Sequence, residues 1–305
     1  MPVAGDSTMG CPLKHRRTGR LGLLFSLLDS VSPNTHNSIM SSSEWDGSSA
    51  MLPRLSAIME CLAQYDEPRG VTAIAQEIGL PKSTVSRLVT DLVAHRYLER
   101  GRGGVRLGLR LFELGQRAAG PRELRQIALA QMADLRQATG RTVQMAVLEG
   151  ADVVYIEILQ GQARLSAQQK GQEGGRLPAH ATALGKALLA FSPPSVVDEI
   201  LNAPLESFTP NTITEPSVLR RQLETIRETG VAYQFEESGP GLTAVGSTIL
   251  TPWKTAFAAV SMSGRVGEFQ PKQFASALRS TALSISRQIP PHHSRQSWTE
   301  QLLSH

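Results

Sequence analysis

Apolar residues recur along this chain with two different periods, and the place where the period changes divides the chain in two. Leu55, Ile58, Met59 and Leu62 stand at i, i+3, i+4 and i+7, the stripe of an amphipathic helix that begins near Met51 and is stopped by Pro68 and Gly70. Ile74 and Ile78 share one face of a second short helix, with Thr72 placed to cap its N-terminus. Gly79 breaks the chain again, and Pro81 suits the first position of a third helix. Val85, Leu88, Val89, Leu92 and Val93 form that helix's apolar stripe, while Ser83, Ser86, Arg87 and Thr90 take the opposite side. Tyr97–Arg100 and Val105–Gly108 then read as two short strands around Gly101, Arg102, Gly103 and Gly104. Three helices followed by a glycine-rich hairpin are the elements of a winged helix-turn-helix, expected over residues 51–108.

Leu109–Ala119 continues as a linker helix with a boundary at Gly120-Pro121, and a longer helix, with Leu124, Ile127, Ala128, Met132 and Leu135 inward, spans Pro121–Thr139. Beyond Gly140 the β-branched runs Thr142–Leu148 and Val153–Leu159 read as strands joined by a tight turn, and Arg164–Gln168 as a third. Helices are expected at Ala181–Phe191, Ser195–Leu201 and Pro216–Thr229. Strands return at Val231–Glu237, Thr243–Leu250 and Thr255–Ser261, before a last helix at Pro271–Gln288. Antiparallel strands with helices packed on them make the region 121–290 a separate α+β domain, joined to the first by the linker at 109–120.

Composition adds little to this division except at the ends. With 41% hydrophobic and 19% charged residues the chain is of the globular class. Two cysteines, Cys11 and Cys61, build neither a disulfide framework nor a zinc site, which fits a reducing cytoplasm, and no apolar run reaches the ~18 residues of a membrane span. Lys14, Arg16, Arg17 and Arg20 precede an apolar stretch at Leu21–Leu28, but Gly22 and Ser26 interrupt it and no small-residue cleavage site follows. Residues 30–49 are rich in Ser and Asn, so residues 1–50 are expected to be a disordered extension and 291–305 a flexible tail. Translation is expected to start at Met40 or Met51 rather than at Met1. The intact mass of the natively expressed protein is expected to begin at one of them, and a mass that includes Met1 refutes this.

Charge matters through its placement. Between Pro81 and Arg106 lie six basic residues (Lys82, Arg87, Arg96, Arg100, Arg102, Arg106) against Asp91 and Glu99, an excess equal to that of the entire chain, +4. Lys82, Ser83 and Thr84 put short polar groups and a cation at a helix start, where they approach phosphates and base edges; Ser83 and Thr84 also suit a purely capping role. Arg87, with Ser86 and Thr90 on its face, has the fork to bond guanine in a major groove, and the glycine-flanked Arg102 fits a minor groove. A solvated surface is the bland alternative for Arg87.

At this point two stretches are similar to a known family. Leu80-Pro81-Lys82-Ser83-Thr84-Val85-Ser86-Arg87-Leu88 resembles the recognition-helix signature of IclR-type transcriptional regulators. Arg176-Leu177-Pro178-Ala179-His180-Ala181-Thr182-Ala183-Leu184-Gly185-Lys186-Ala187-Leu188-Leu189 resembles that family's effector-domain signature. The likeness runs from about Met51 to Gln288. It implies a GAF-like C-terminal sensor domain, a double-stranded operator as partner, a homodimer or homotetramer, a small and often carboxylate-bearing effector, and no cofactor. DNA contact is then expected from Thr72, Lys82, Ser83, Thr84, Ser86, Arg87, Thr90 and Arg102.

The effector site implied by the resemblance includes Ala183, Leu184, Gln234, Leu242, Ala244, Ser261 and Ser263. Small residues from Ala181 to Gly185 suit backbone contact with a carboxylate at a helix N-terminus, or equally a close helix–sheet contact. Ser261 and Ser263 share a strand face opposite Met262. This chain departs from the family in having Gln234 and Ala244 where an acidic residue and a cysteine are common, so a neutral, more apolar pocket for an aromatic or larger acid is expected. His180 and Lys186 stand nearby, with a structural hydrogen bond the commoner role for such a histidine. An enzyme reading finds no nucleophile–base set, no metal spacing and no phosphate loop, and the second domain contains no cysteine. A regulator that acts through a protein partner without an effector is the other alternative.

Overall fold

In the computed structural model, which describes residues 51–162 and 172–290, α1 (Met51–Ala63) buries Ala57, Ile58, Cys61 and Leu62. α2 (Val71–Glu77) adds Ile74 and Ala75, and α3 (Lys82–Ala94) adds Val85, Leu88, Val89 and Leu92. Leu98 of β1 (Leu98–Gly101) and Val105 of β2 (Gly104–Leu107) close this core. Each fully buried Leu or Ile contributes about 1.5–3 kcal/mol, so the apolar stripe of α3 is held inward and its polar side is left to water. Burial, with Glu77 nearby, pushes the Cys61 thiol up to about 12, which leaves it an inert part of the packing.

β1 and β2 pair from Leu98↔Leu107 to Gly101↔Gly104, leaving Arg102 and Gly103 as a two-residue turn in which Gly103 takes φ +94°. Arg69 bridges Val105 with N···O distances of 2.9 Å in both directions. A Cβ at Gly104 would lie 2.1 Å from the Arg69 carbonyl oxygen, so glycine is required for the approach. The bridge keeps the chain extended through Gly70, and α2 therefore starts at Val71. Thr72 falls inside the helix, exposed, and caps nothing, contrary to expectation. Pro81 likewise flanks α3 rather than opening it, its carbonyl accepting from Val85 N–H.

α4 (Leu109–Gly115) is shorter than expected, and α5 (Ala119–Thr139) runs through the anticipated break at Gly120-Pro121. Pro121 sits in the first turn of α5, where its missing N–H would have had no intrahelical partner. β3 (Thr142–Glu149) and β4 (Asp152–Leu159) form a hairpin around Gly150 (φ +61°). The strand expected at Arg164–Gln168 lies outside the described residues. A strand the sequence did not mark, β5 (Arg176–Pro178), pairs with β4; three residues are too few to display a period of two.

A 3-10 turn (Ala179–Ala181) leads into α6 (Ala183–Ala190), α7 (Pro194–Asn202) and α8 (Pro216–Thr229). Then come β6 (Ala232–Phe235), β7 (Leu242–Leu250), β8 (Ala256–Arg265) and α9 (Pro271–Ser286). The sheet has the order β5-β4-β3-β8-β7-β6 with every pair antiparallel. Side-chain alternation splits its two faces. Val143, Met145, Val245, Val260 and Met262 pack under α5 and α9, whereas Ala146, Ala232 and Ala259 pack under α6, α7 and α8. Arg125 fastens α5 to β4 through Glu157 (3.0 Å) and the Ile156 carbonyl (2.9 Å). The result is the α+β, GAF-like arrangement expected, with a helical layer on each face. No helix among the described residues is long and apolar enough to cross a membrane.

Candidate functional site

On α3 the side chains of Lys82, Ser83, Ser86, Arg87 and Thr90 are exposed, and Thr84 is half-buried. No side chain caps α3, so the capping role open to Ser83 and Thr84 is not taken up. Thr90 Oγ1 instead donates to the Ser86 carbonyl at 2.9 Å. Of the six local cations, Arg106 is spent on Glu99, its cross-strand neighbour, at 2.7 Å, and Arg96 lies 3.6 Å from Glu113. Lys82, Arg87, Arg100 and Arg102 have no carboxylate partner among the described residues. The ion pairs thus select which positive charges remain for an outside anion. Arg102 stands at the tip of the hairpin, whose base is tied to the α1–α2 connection through Arg69, close to the start of α2 where Thr72 lies.

The second constellation is built around α6, all eight residues of which are buried. Two glycines allow it to reach the sheet. A Cβ at Gly185 would stand 2.1 Å from the Ala179 oxygen, and one at Gly246 on β7 would stand 2.6 Å from the Ala183 oxygen. Close packing is therefore the use of Gly185. Further along, Thr248 Oγ1 donates to the Ala187 carbonyl. With Ala183 over Gly246 and Ala187 over Thr248, α6 runs along β7, and its N-terminus is aimed at the preceding same-face residue, Ala244. Thr182 Oγ1 accepts from Gly185 N–H at 3.0 Å, while the N–H groups of Ala183 and Leu184 come too early in the helix to have an intrahelical acceptor.

Ala244 lies in one row of the sheet with Gln234 and Ser263, followed by Thr142; the next row holds Ala232, Gly246, Ser261 and Gln144. Leu242 shares the face, half-buried at the end of β7. The fold thus brings Ala183, Leu184, Gln234, Leu242, Ala244, Ser261 and Ser263 to one side of one sheet. Gln144 and Thr142 belong with them and were missed; the signal for Gln144 was a polar residue inside the apolar run from Val143 to Leu148. Ser261 Oγ is satisfied by Gln144 Oε1 at 3.2 Å.

The neighbouring charges are committed elsewhere. Lys186 Nζ lies 2.7 Å from both carboxylate oxygens of Glu237 and 3.1 Å from Gln222 Oε1. Burial is the main cause that lowers the Lys186 pKa and raises that of Glu237, opposed in both by their mutual attraction. Glu236, at φ +56°, accepts from Gly241 N–H at 2.8 Å and closes the β6–β7 turn. His180 Nε2 meets the Glu206 carbonyl at 2.9 Å, which makes that nitrogen the donor and the residue a structural tie. The segment it holds reaches the same turn, Thr212 Oγ1 donating to the Glu237 carbonyl at 2.6 Å.

The model of the bacterial transcriptional regulator IclR C-terminal domain matches residues 116–287, and the IclR helix-turn-helix domain model matches residues 52–102. The HTH-type transcriptional regulator XynR of Escherichia coli is 34% identical over 229 residues, 72% of this chain and 88% of that protein. The transcriptional repressor IclR of the same organism is 31% identical over 68% of this chain and 77% of its own length. Among solved structures, an IclR homologue of Microbacterium hydrocarbonoxydans complexed with 4-hydroxybenzoate has a TM-score of 0.71 at 32% identity, covering 78% of this chain and 98% of that one. The Thermotoga maritima IclR has a TM-score of 0.64 at 29% identity, with 78% and 97% covered.

The buried pair under α6 generates a stability prediction. Lys186→Met strands the Glu237 carboxylate and is expected to cost about 3–5 kcal/mol in urea unfolding, whereas adding Glu237→Leu brings stability back to within about 1 kcal/mol of the parent or above it. Equal losses in the single and double variants would show that packing rather than charge compensation dominates there.

Proposed function

The chain belongs to the IclR family of DNA-binding transcriptional regulators, and from that premise we propose that α3 and the β1–β2 wing read a double-stranded operator while the α6–β7 site receives an organic-acid effector. The observation that carries the DNA half is the exposed set Lys82, Arg87, Arg100 and Arg102, left without carboxylate partners on the polar side of α3 and the wing. Lys82, Ser83 and Thr84 meet phosphate at the N-terminus of α3, and Thr72 does so from α2. Ser86, Arg87 and Thr90 face base edges in the major groove, with Arg87 bidentate to guanine. Arg102 enters the adjacent minor groove.

The effector half rests on Ala183 and Leu184 N–H, which offer a carboxylate two donors and the positive end of a helix dipole. The structural neighbour that carries 4-hydroxybenzoate supports an organic acid as the class. Leu109 and Phe112 of α4, 64% and 62% exposed and one turn apart, supply the dimer contact: a helix with no fully buried residue among the described residues is covered by a second copy. Effector binding favours one arrangement of two subunits and so resets the spacing between their α3 helices.

In a gel shift against an operator selected from random DNA, Arg87→Ala is expected to lose about 1–3 kcal/mol and to relax preference at one base pair. Lys82→Ala is expected to weaken all sequences alike and to lower the salt slope by about 1. Unchanged affinity in Arg87→Ala refutes the docking. Phe112→Asp is expected to sediment as a monomer at concentrations where the parent is a dimer, and an undisturbed dimer places the interface elsewhere.

A further inference from the structure

The glycines at the tip of the wing lie against the connection between α1 and α2. A Cβ at Gly101 would stand 2.6 Å from Pro68 Cγ, and one at Gly104 would stand 2.1 Å from the Arg69 carbonyl oxygen. On the other side of the turn, the Gly103 carbonyl oxygen is 3.6 Å from where a Cβ of Gly70 would be. The tip of the hairpin thus rests on three consecutive residues, Pro68, Arg69 and Gly70. Arg102 is the one residue from 101 to 104 that carries a side chain, and whatever holds residues 68–70 places its backbone.

The hold comes from one carboxylate on α2. Arg69 lays its guanidinium over the Tyr65 ring, 4.1 Å from the centroid, and its Nη2 stands 3.4 Å from Glu77 Oε2. Tyr65 Oη lies 3.1 Å from each oxygen of the same carboxylate, to which its hydroxyl donates. Glu77 therefore gathers both ends of the connection, a residue just beyond α1 and the residue under the wing. α2 is in turn fixed to α3, because Ile74 and Ala75 share a core with Val85, Leu88 and Val89. A continuous path runs from α3 through Glu77 and Arg69 to the hairpin tip.

We propose that Glu77 is a positioning residue for DNA recognition: with Tyr65 and Arg69 it sets where the wing stands beside α3, and so which outer base pairs Arg102 accepts. The inference rests on the docking given above and adds to it a residue that acts through Arg69 rather than on DNA. Stability alone does not account for the cluster. The ion pair is open to water, with 34% of the Arg69 side chain and 23% of the Glu77 side chain exposed, and such pairs add little to folding. Arg69 Nε is buried with no hydrogen-bond partner among the described residues, which costs stability. What the arrangement supplies is orientation, since a planar guanidinium stacked on a ring and bonded at its edge is held in one pose.

Gel shifts of the full chain on three duplexes test this. Two share the core that α3 selects and differ only in the outer base pairs under the wing, A·T in one and G·C in the other; the third is altered in the core. The parent is expected to prefer the A·T duplex to the G·C duplex by about fivefold or more, and Arg102→Ala to bind those two alike. Glu77→Gln and Arg69→Met are each expected to lose most of that preference and still reject the altered core. Melting temperatures establish that the variants are folded, and if Glu77→Gln is not, Arg69→Met decides. A parent without the preference, or a preference that survives in Arg102→Ala, overturns the wing docking and this inference with it. A preference lost in Arg102→Ala but kept in either folded variant overturns the inference alone. Loss of core and outer discrimination together marks a general structural role and overturns it too. So does tighter binding of Glu77→Gln to every duplex by one factor, which makes Glu77 only a repelling charge near DNA.

Discussion

Backbone against backbone, α6 lies on β7 more closely than any side chain at position 246 would allow, and the organisation of the second domain follows from that contact. It forces glycine at 246 and, through the 3-10 turn stacked on the helix, at 185. Because Thr248 takes the Ala187 carbonyl one turn later, the helix is aligned with the strand rather than crossing it. An aligned helix delivers the donors of its first turn to the next row of the sheet, where three different strands contribute side chains. The chemistry gathered there is thus a by-product of packing geometry, and a small displacement of α6 would separate the donors from the row.

Such displacement is resisted by a costly device. Taking an ammonium and a carboxylate out of water is expensive, and an apolar pair of similar volume would serve stability at least as well. What Lys186 and Glu237 add is direction: the contact holds α6 and the β6–β7 turn together, with Gln222 of α8 as a third support. It also withdraws both charges from the neighbouring sheet face. A site whose polar groups are Gln, Ser and Thr discriminates by hydrogen-bond count and position, where a charged one discriminates chiefly by sign.

Much of this was legible in the sequence, and the failures have identifiable causes. The stripes of α1, α3 and α5 gave those helices because each buries one face, and Pro216–Thr229 was located to the residue. The eight-residue α6 has no stripe to read, being buried on every side; there the family signature, not periodicity, marked the segment. Thr72 failed as a cap because the Arg69–Val105 bridge, a long-range contact, set where α2 begins. The break at Gly120-Pro121 failed because a proline in the first turn of a helix costs nothing. In the site, alternation paired Ser261 with Ser263, but the row joining Gln234, Ala244 and Ser263 depends on strand register, which one strand's residues do not contain. The same holds for the cations of the wing: their number was readable, whereas the loss of Arg106 to Glu99 required the hairpin pairing.

The bridge between Arg69 and Val105 has a consequence for the binding sites this protein selects. It ties the hairpin to the connection that leads into α2, so the base of the hairpin that carries Arg102 is anchored to the same apolar core as α3. With α3 seated in a major groove, the neighbouring minor groove follows about half a helical repeat away, roughly five base pairs. A reader with a hinged tip would tolerate a sliding offset between the two. On the proposed docking, α3 and the wing act as a ruler, and operators that suit them share one interval between their hydrogen-bonded core and their narrow, A·T-rich flank.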